Sequence, residues 1–524
     1  MRQHELLKTD LQVPWAWGRG NQVWAMFEAA ANDEVATLQK LVATEPSLVG
    51  CEFHYRTPLR FAVLNNRLKA TEWLLNQGAC ATVDYYGQHL PMEARERGFT
   101  DVADLLDVRL HEKWQIEPAA GEAIGMAFRE RDVERTRQLI DQHGSEVADR
   151  RGNKPIHWAV ITRQQEFVQA LLDAGADINA LRPDGARPLD LTNGDYWYRG
   201  WRDLHPDAPS DHWALMSWLI DQGAFYDLTT AARRNDLNRA REILAADPQA
   251  ATRDAHYITW YSGYPLRSAC KAGHLEFAQL LLQHGADPNH PEHFLAPWGG
   301  SLYDSTQNRH YDVVRWLLEN GANPNQEVES SGNCLYIASG DDQLTALIRE
   351  HGGRLDMYQC VDQGSVDGLQ QLLEEDPYLA KEEDSFLEVV EKSNDAQIDL
   401  FLKYEPGLWQ RVPATLPVLA RNMGTDVNAT NWLNVHQIHH GCNADELEKW
   451  VSAGVQLNLV DSEYRSTPLG WAARSGNMDY ARLLLQAGAD PNAAGADWAT
   501  PLAWAERRGH VEIAKILHEF DVKK

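Results

Sequence analysis

The chain has 524 residues, of which 76 are acidic and 49 are basic, so its formal net charge is −27. This charge opposes a phosphate backbone and an anionic lipid surface, and it therefore disfavours binding to nucleic acids and membranes. The six cysteines lack the paired spacing of metal or redox sites. The N-terminus lacks the apolar core of a signal peptide, and no run is long and apolar enough to span a bilayer. We expect a cytoplasmic monomer with no cofactor and no bound metal.

Taken in order, the chain begins with a predicted capping segment at residues 1–21. A first block of two-helix units is predicted at 22–107, and the weakly patterned residues 108–118 predict a linker or a kink. A second block of units is predicted at 119–524, where residues 496–520 open with Thr500-Pro501-Leu502 but lack the closing Gly-Ala-Asp of the cleaner units. End units of repeat arrays depart from the repeat pattern because their outer face is exposed to water, so the last unit is predicted to be a capping repeat.

The cleaner units share one spacing, because 20 positions separate a helix-opening residue from a closing glycine. Proline fits the first turn of a helix, and glycine adopts the left-handed conformation that ends one. The units with this spacing are Pro58 to Gly78, Pro155 to Gly175, Pro265 to Gly285, Ser301 to Gly321 and Pro468 to Gly488. Repetition of this spacing predicts an array of similar helix pairs.

One unit departs from this spacing, since Pro188 and Gly223 are 35 positions apart. The additional residues form an aromatic loop at 193–212. Long loops inside compact arrays are more often functional than accidental, and a loop this aromatic is expected to pack on something. It is predicted either to cover the concave side as a lid or wall, or to pack on neighbouring helices.

The unit at 461–492 contains Thr467-Pro468-Leu469, Ala472-Ala473 and Gly488-Ala489-Asp490, and the step from Thr467 to Thr500 is 33 residues. In these features it resembles an ankyrin repeat. The resemblance covers nearly the whole chain and implies an all-α ankyrin-repeat solenoid of roughly fourteen helix-turn-helix repeats with short finger turns. It also implies a non-catalytic scaffold that binds a partner or ligand on its concave face.

Aromatic and histidine side chains are frequent at the expected finger and first-helix positions, where rigid scaffolds concentrate binding residues. A protein partner would insert side chains between the rings, and a carbohydrate would stack on them. Alternatively, rings of neighbouring fingers stack on each other and stiffen the array. The predicted ligand-binding residues are Tyr55, Tyr85, His157, Trp158, Trp197, Trp201, Tyr257, Trp260, Tyr261, Trp298, Tyr303, Trp432, His436, Tyr464, Trp471 and Trp498.

A second hypothesis is a glycoside hydrolase, because that reaction needs two carboxylates flanking the scissile bond and no local sequence motif. The candidate acids are Asp190, Asp195, Asp304, Glu329 and Glu463. Acidic residues are abundant in this chain, so some of them would face any groove merely to maintain solubility. A zinc site at His436, His439, His440 and Cys442 is not favoured, because three ligands on one helix seldom converge on one ion.

Overall fold

The computed structural model describes residues 3–13, 16, 18–82, 89–195, 197–254, 263–291, 299–326, 328, 332–412, 415–421, 428 and 437–521. In this part of the chain the secondary structure is almost entirely helical, which confirms the predicted fold class. A short antiparallel hairpin of β1 (Gln12–Val13) and β2 (Gly18–Arg19) leads into the first helix.

Most of the helices pack in consecutive pairs, such as the first with the second. The first part of the array contains α1 (Gly20–Ala31), α2 (Val35–Thr44), α3 (Pro58–Leu64), α4 (Leu68–Asn76), α5 (Leu90–Glu96), α6 (Thr100–Trp114), α7 (Pro118–Glu130), α8 (Val133–His143), α9 (Pro155–Ile161) and α10 (Gln165–Asp173). The middle part contains α11 (His212–Asp221), α12 (Leu228–Arg234), α13 (Leu237–Ala246), α14 (Pro265–Lys271), α15 (Leu275–Gln283), α16 (Ser301–Gln307), α17 (Tyr311–Glu319), α18 (Cys334–Ile337), α19 (Asp342–Glu350), α20 (Met357–Asp362) and α21 (Val366–Glu375). The last part contains α22 (Glu383–Glu391), α23 (Asp395–Tyr404), α24 (Leu416–Arg421), α25 (Gln437–His440), α26 (Ala444–Ser452), α27 (Pro468–Ser475), α28 (Met478–Gln486), α29 (Pro501–Arg508) and α30 (Val511–Asp521).

Short polar side chains start many of these helices by accepting backbone N–H groups that have no partner within the helix. Thr467 accepts the N–H of Gly470 at the start of α27, and Thr500 accepts that of Ala503 at the start of α29. Asn477 plays the same part for the second helix of its unit, α28. The starts of these helices therefore follow from the local sequence.

First helices pack on first helices of the next unit, as in α1 on α3, α12 on α14, α14 on α16 and α27 on α29. Second helices pack similarly, as in α2 on α4 and α28 on α30. The buried side chains fall into successive clusters along the array. This nearest-neighbour stacking is the arrangement of a solenoid.

Two predicted boundaries take a more specific form. Residues 108–114 belong to α6, which ends where Gln115 adopts a left-handed backbone with φ of 55°. Ile116 then forms a parallel bridge with Ala148, and α7 begins two residues later at Pro118. In the unit that carries the insertion, the first helix is a single 3-10 turn at Pro188–Leu191.

The array closes on itself, because its first units contact its last ones. Arg56 and Glu463 form an ion pair although they are 407 residues apart in the sequence. The N-terminal segment also contacts the later units, since the Tyr378 hydroxyl donates to the carbonyl oxygen of Leu6 over 2.7 Å. Residues near the N-terminus and residues of the last units are therefore in direct contact.

Candidate functional site

Buried carboxylates shape the fingers, which we define as the turns that precede first helices. Asp461 accepts the backbone N–H groups of Glu463, Tyr464 and Ser466 at 2.6–3.0 Å. The indole N–H of Trp471, on the following helix, donates to the same carboxylate over 2.9 Å. Burial raises the pKa of Asp461, and these hydrogen bonds oppose that rise. One acid thus fixes both the finger and the ring beside it.

The same construction recurs at Asp149, which accepts the backbone N–H groups of Arg151 and Asn153 and the indole N–H of Trp158 over 3.1 Å. The neighbouring His157 is fully buried, and burial followed by the charge of Arg182 lowers its pKa to about 3. Its ring is therefore neutral at physiological pH. Nδ1 accepts a backbone N–H, so Nε2 carries the proton and donates to the carbonyl oxygen of Ala180 over 2.9 Å.

The inserted segment at 193–212 is held by one buried guanidinium. Arg163 donates to the carbonyl oxygens of Thr192, Gly200, Pro209 and Ser210 and to the side-chain oxygen of Asn193, over 2.6–3.2 Å. A planar guanidinium presents five donors in a fixed geometry, so it ties the two ends of the segment to its middle.

A second buried arginine holds the start of the segment. Arg182 pairs with Asp195 over 2.9 Å and with Asp184 over 2.6 Å. Asp195 also accepts the backbone N–H groups of Trp197 and Tyr198. Gly194 turns the chain with φ of 79°, and a Cβ atom there would lie 2.0 Å from the carbonyl oxygen of Tyr198. The segment therefore has a defined shape.

Large aromatic side chains remain exposed on and around this segment. The exposed fractions are 49% for Trp201, 41% for Trp213 and 45% for Phe225. The rings of Trp201 and Phe225 lie 5.9 and 4.7 Å from the guanidinium carbons of Arg199 and Arg187. The Arg163 guanidinium donates to the carbonyl oxygens of Gly200 and Ser210. Trp201 directly follows Gly200, and Trp213 lies three residues after Ser210.

The four described candidate acids are all mostly buried, and three of them are paired with arginine. Asp195 is neutralised by Arg182, and Asp304 accepts from Arg267 over 2.6 Å. Glu463 lies between Arg56 and Arg60, and these charges outweigh the effect of burial and lower its pKa to about 2. A carboxyl with so low a pKa is ionised at neutral pH and is not suited to act as a general acid.

Asp190 is the exception among them. Its Oδ2 accepts the backbone N–H of Arg187 over 2.9 Å. Burial raises the pKa of Asp190 to about 7, and the nearby charge of Asp227 acts in the same direction. Arg233 and Arg187 oppose the rise. The side chain is 4% exposed, so it has little access to a substrate in this structure.

The predicted ligand-binding residues divide into three sets. His157, Trp158, Tyr303 and Tyr464 are buried, and Tyr55, Trp197, Trp201, Trp471 and Trp498 are partly or largely exposed. The remaining predicted residues lie outside the described part of the chain: Tyr85, Tyr257, Trp260, Tyr261, Trp298, Trp432 and His436. The candidate acid Glu329 also lies outside it. Of the residues considered for zinc, His439 binds the carbonyl oxygen of Leu459 over 3.0 Å.

Three structurally central residues, Arg97, Arg163 and Trp213, were not predicted from the sequence. Arg163 and Trp213 organise and flank the inserted segment, yet neither stands within a recognisable motif. Arg97 is 1% exposed and stacks on rings of the last units. A Glu-Arg-Gly-Phe sequence at the turn between α5 and α6 was the available signal, but contacts over such a separation depend on the curvature of the whole array.

Among the residues that the structure describes, no helix is long and apolar enough to cross a membrane. The same residues contain no cluster of three or more His, Cys, Asp or Glu side chains arranged to hold a metal ion.

The ankyrin repeat family is matched at residues 151–182, and a three-copy model of ankyrin repeats is matched at 228–328 and 436–524. The chain is 29% identical over 183 residues to the ankyrin repeat protein YahD of Escherichia coli (strain K12), covering 34% of this chain and 68% of YahD. It is 31% identical over 120 residues to palmitoyltransferase ZDHHC13 of Mus musculus, covering 22% of this chain and 18% of that protein.

Among solved structures, the human ASB11 ankyrin repeat domain aligns with a TM-score of 0.26 and 18% identity, covering 44% of this chain and 99% of that domain. Repeats of the matched family indicate a protein-interaction scaffold. With stacked helix pairs, the shared spacing and family matches in three separate regions, the chain is an ankyrin-repeat protein.

Proposed function

We propose that this ankyrin array binds a protein partner through aromatic side chains on its fingers and on the inserted segment at 193–212. The observation that carries the proposal is the exposure of two neighbouring tryptophans. Trp201 lies on a segment that the buried Arg163 and Arg182 hold in shape, and Trp213 lies at the start of α11, directly after that segment. Exposed aromatic patches usually mark interaction sites, and aromatic side chains dominate the energetics of protein interfaces.

Rigidity supports this proposal, because a segment that is already ordered loses little conformational entropy on binding. The five hydrogen bonds of Arg163 and the paired Asp195 fix the backbone on both sides of Trp197. The Trp197 ring itself lies 5.3 Å from the guanidinium carbon of Arg151.

A protein partner suits this surface better than a carbohydrate. Sugar binding requires polar side chains beside the rings to hydrogen-bond the hydroxyl groups. Two acids of the segment already have arginine partners, because Asp195 pairs with Arg182 and Asp203 pairs with Arg202 over 2.7 Å. The hydrogen bond from Arg202 lowers the pKa of Asp203, which keeps this pair ionised.

The proposal is tested by crosslinked capture from a cell extract, comparing the wild-type chain with the double variant Trp201→Ala, Trp213→Ala. We expect the captured partner to fall at least tenfold in the double variant, while a Tyr311→Ala control, at an exposed ring on α17, retains it. Equal capture by all three proteins would contradict the proposal. Binding of the wild-type chain to a glycan array, lost in the double variant, would instead identify a carbohydrate ligand.

A further inference from the structure

The contact between the two ends of the array has the character of a ligand in a binding site. Arg97, in the turn between α5 and α6, is almost fully buried. Its guanidinium carbon lies 4.6 Å from the ring centroid of Tyr464 and 5.6 Å from that of Trp498. A cation held against two aromatic faces is a strong recognition element.

The residues next to Arg97 are matched in the same way. Glu96 faces the guanidinium groups of Arg474, at 3.6 Å, and Arg508. Arg507 donates to the backbone carbonyl of Glu96. The Glu96 carboxylate, the Glu96 carbonyl and the Arg97 guanidinium therefore each meet a complementary group on α27, on α29 or on the fingers that precede these helices.

An aromatic ring completes the match. The ring of Phe99 meets that of Trp498 edge-on, with centroids 5.6 Å apart and planes at 77°. The segment Glu96–Phe99 thus presents one carboxylate, one guanidinium and one aromatic ring within four residues. The last two units contain a partner for each of these three groups.

From this geometry we infer that the inner face of the last two units is a recognition site for a peptide segment with the pattern Glu-Arg-x-aromatic. The chain's own Glu96–Phe99 occupies the site, and a protein partner bearing a segment of the same chemistry displaces it. This surface is distinct from the inserted segment at 193–212, so the inference does not depend on the role of Trp201.

The interface permits displacement because its margin is open. Glu96, Phe99, Arg474 and Trp498 are each partly exposed, and the side chains rather than the backbone make most of the contacts described above. Separation of the two ends also leaves the stacking of neighbouring units intact, because each unit of a solenoid packs chiefly on its neighbours.

The probe for this site is a fluorescent synthetic peptide with the sequence of residues 91–101, PMEARERGFTD. Its affinity is measured by fluorescence anisotropy for the wild-type full-length chain and for the full-length double variant Arg97→Ala, Phe99→Ala. The variant lacks the side chains that fill the site, so we expect it to bind the peptide at least tenfold more tightly. Loss of one guanidinium stacked on two rings is sufficient for a change of this size.

Three controls make the result specific. A peptide in which the arginine corresponding to Arg97 and the phenylalanine corresponding to Phe99 are both alanine should not bind the double variant. Adding Trp498→Ala to the double variant should abolish binding of the original peptide. If the double variant does not fold, Glu96→Arg replaces it, since this reversal repels Arg474 and Arg508 at the margin; Glu112→Arg, on exposed α6, is its matched control.

Equal binding to the wild-type chain and the variants would overturn the inference, and so would the absence of binding to either. Retention of binding after Trp498→Ala would also overturn it. None of these outcomes bears on capture through Trp201 and Trp213, so failure of this inference is distinguishable from failure of the proposed function.

Discussion

Replacing Glu463 by glutamine removes the negative charge that joins the two ends of the array. Glu463 accepts from Arg60 over 2.6 Å and from Arg56 over 3.0 Å, and its side chain is 11% exposed. Pairing lowers the carboxyl pKa from 4.5 to about 2 despite burial. Each pKa unit corresponds to about 1.4 kcal/mol, so the ionised carboxylate favours the closed array by roughly 3 kcal/mol.

A second consideration gives a similar magnitude. Removing one partner of a buried ion pair costs roughly 3–5 kcal/mol, because the remaining charge is left without full compensation. In the Glu463→Gln variant, Arg60 keeps its ion pair with Glu93, at 3.4 Å, but loses the shorter one. We therefore expect separation of the two ends to become easier by roughly 3 kcal/mol.

Hydrogen exchange measures this directly, because local opening need not involve global unfolding. Backbone amides of residues 461–466, and those at the start of α3, should exchange on the order of a hundredfold faster in Glu463→Gln at pH 7. Amides of α14 and α16, far from the contact, should be unchanged. A Glu448→Gln control, at an exposed position on α26, should behave like the wild-type chain.

The effect has a defined pH dependence. Because the folded pKa lies below 4.5, the stabilisation is complete above that value and is lost as the pH falls towards 2. The wild-type chain and the variant should therefore differ at pH 7 and converge below pH 4.5. Unchanged exchange in the variant at pH 7 would refute the assignment of Glu463 to the closing contact.

Three further substitutions test other parts of the structure. Arg163→Lys keeps the positive charge but loses the five donors that hold the inserted segment. Limited proteolysis should therefore cut the variant within 197–210, while its melting temperature changes little. Arg135→Lys on α8 is the control. Trp471→Phe removes the hydrogen bond to Asp461 and should cost about 1–3 kcal/mol, measured as a lower midpoint in urea, unlike Trp213→Phe. For Asp190, the folded pKa of about 7 exceeds the unfolded value of 3.8, so ionisation opposes folding as the pH rises between them. Asp190→Asn should therefore raise the melting temperature at pH 8 and change it little at pH 4.

The helix pairs were predictable because their signals are local. A threonine cap, a proline in the first turn and a closing glycine occur within about twenty residues, and each acts on the backbone beside it. The interruption at 193–212 is also a local signal, since it breaks the spacing that the cleaner units keep, and its bounds stay a prediction. The 3-10 turn at Pro188–Leu191 was not predictable, because the spacing between proline and glycine does not specify the type of helix between them.

The closure of the array was not predictable from local signals. It depends on the summed rotations of many units, none of which is encoded in a motif near Arg97 or Glu463. Tyr464 and Trp498 were predicted to bind a ligand, which stays a prediction. In the structure their rings hold a guanidinium from the chain itself. The sequence indicated that aromatic and acidic side chains of the last units make contacts. It did not indicate that their partners are arginines of the first units.

Closure changes how a partner would gain access to the last units. The segment Glu96–Phe99 is part of the same chain as the last two units, so its effective concentration at their surface is on the order of millimolar or higher. A free segment with the pattern of Glu96–Phe99 would compete poorly with it. A partner that also contacts Trp201 and Trp213 would hold its competing segment at a comparable local concentration. The two surfaces would then act together, with the inserted segment providing attachment and the last units providing the response.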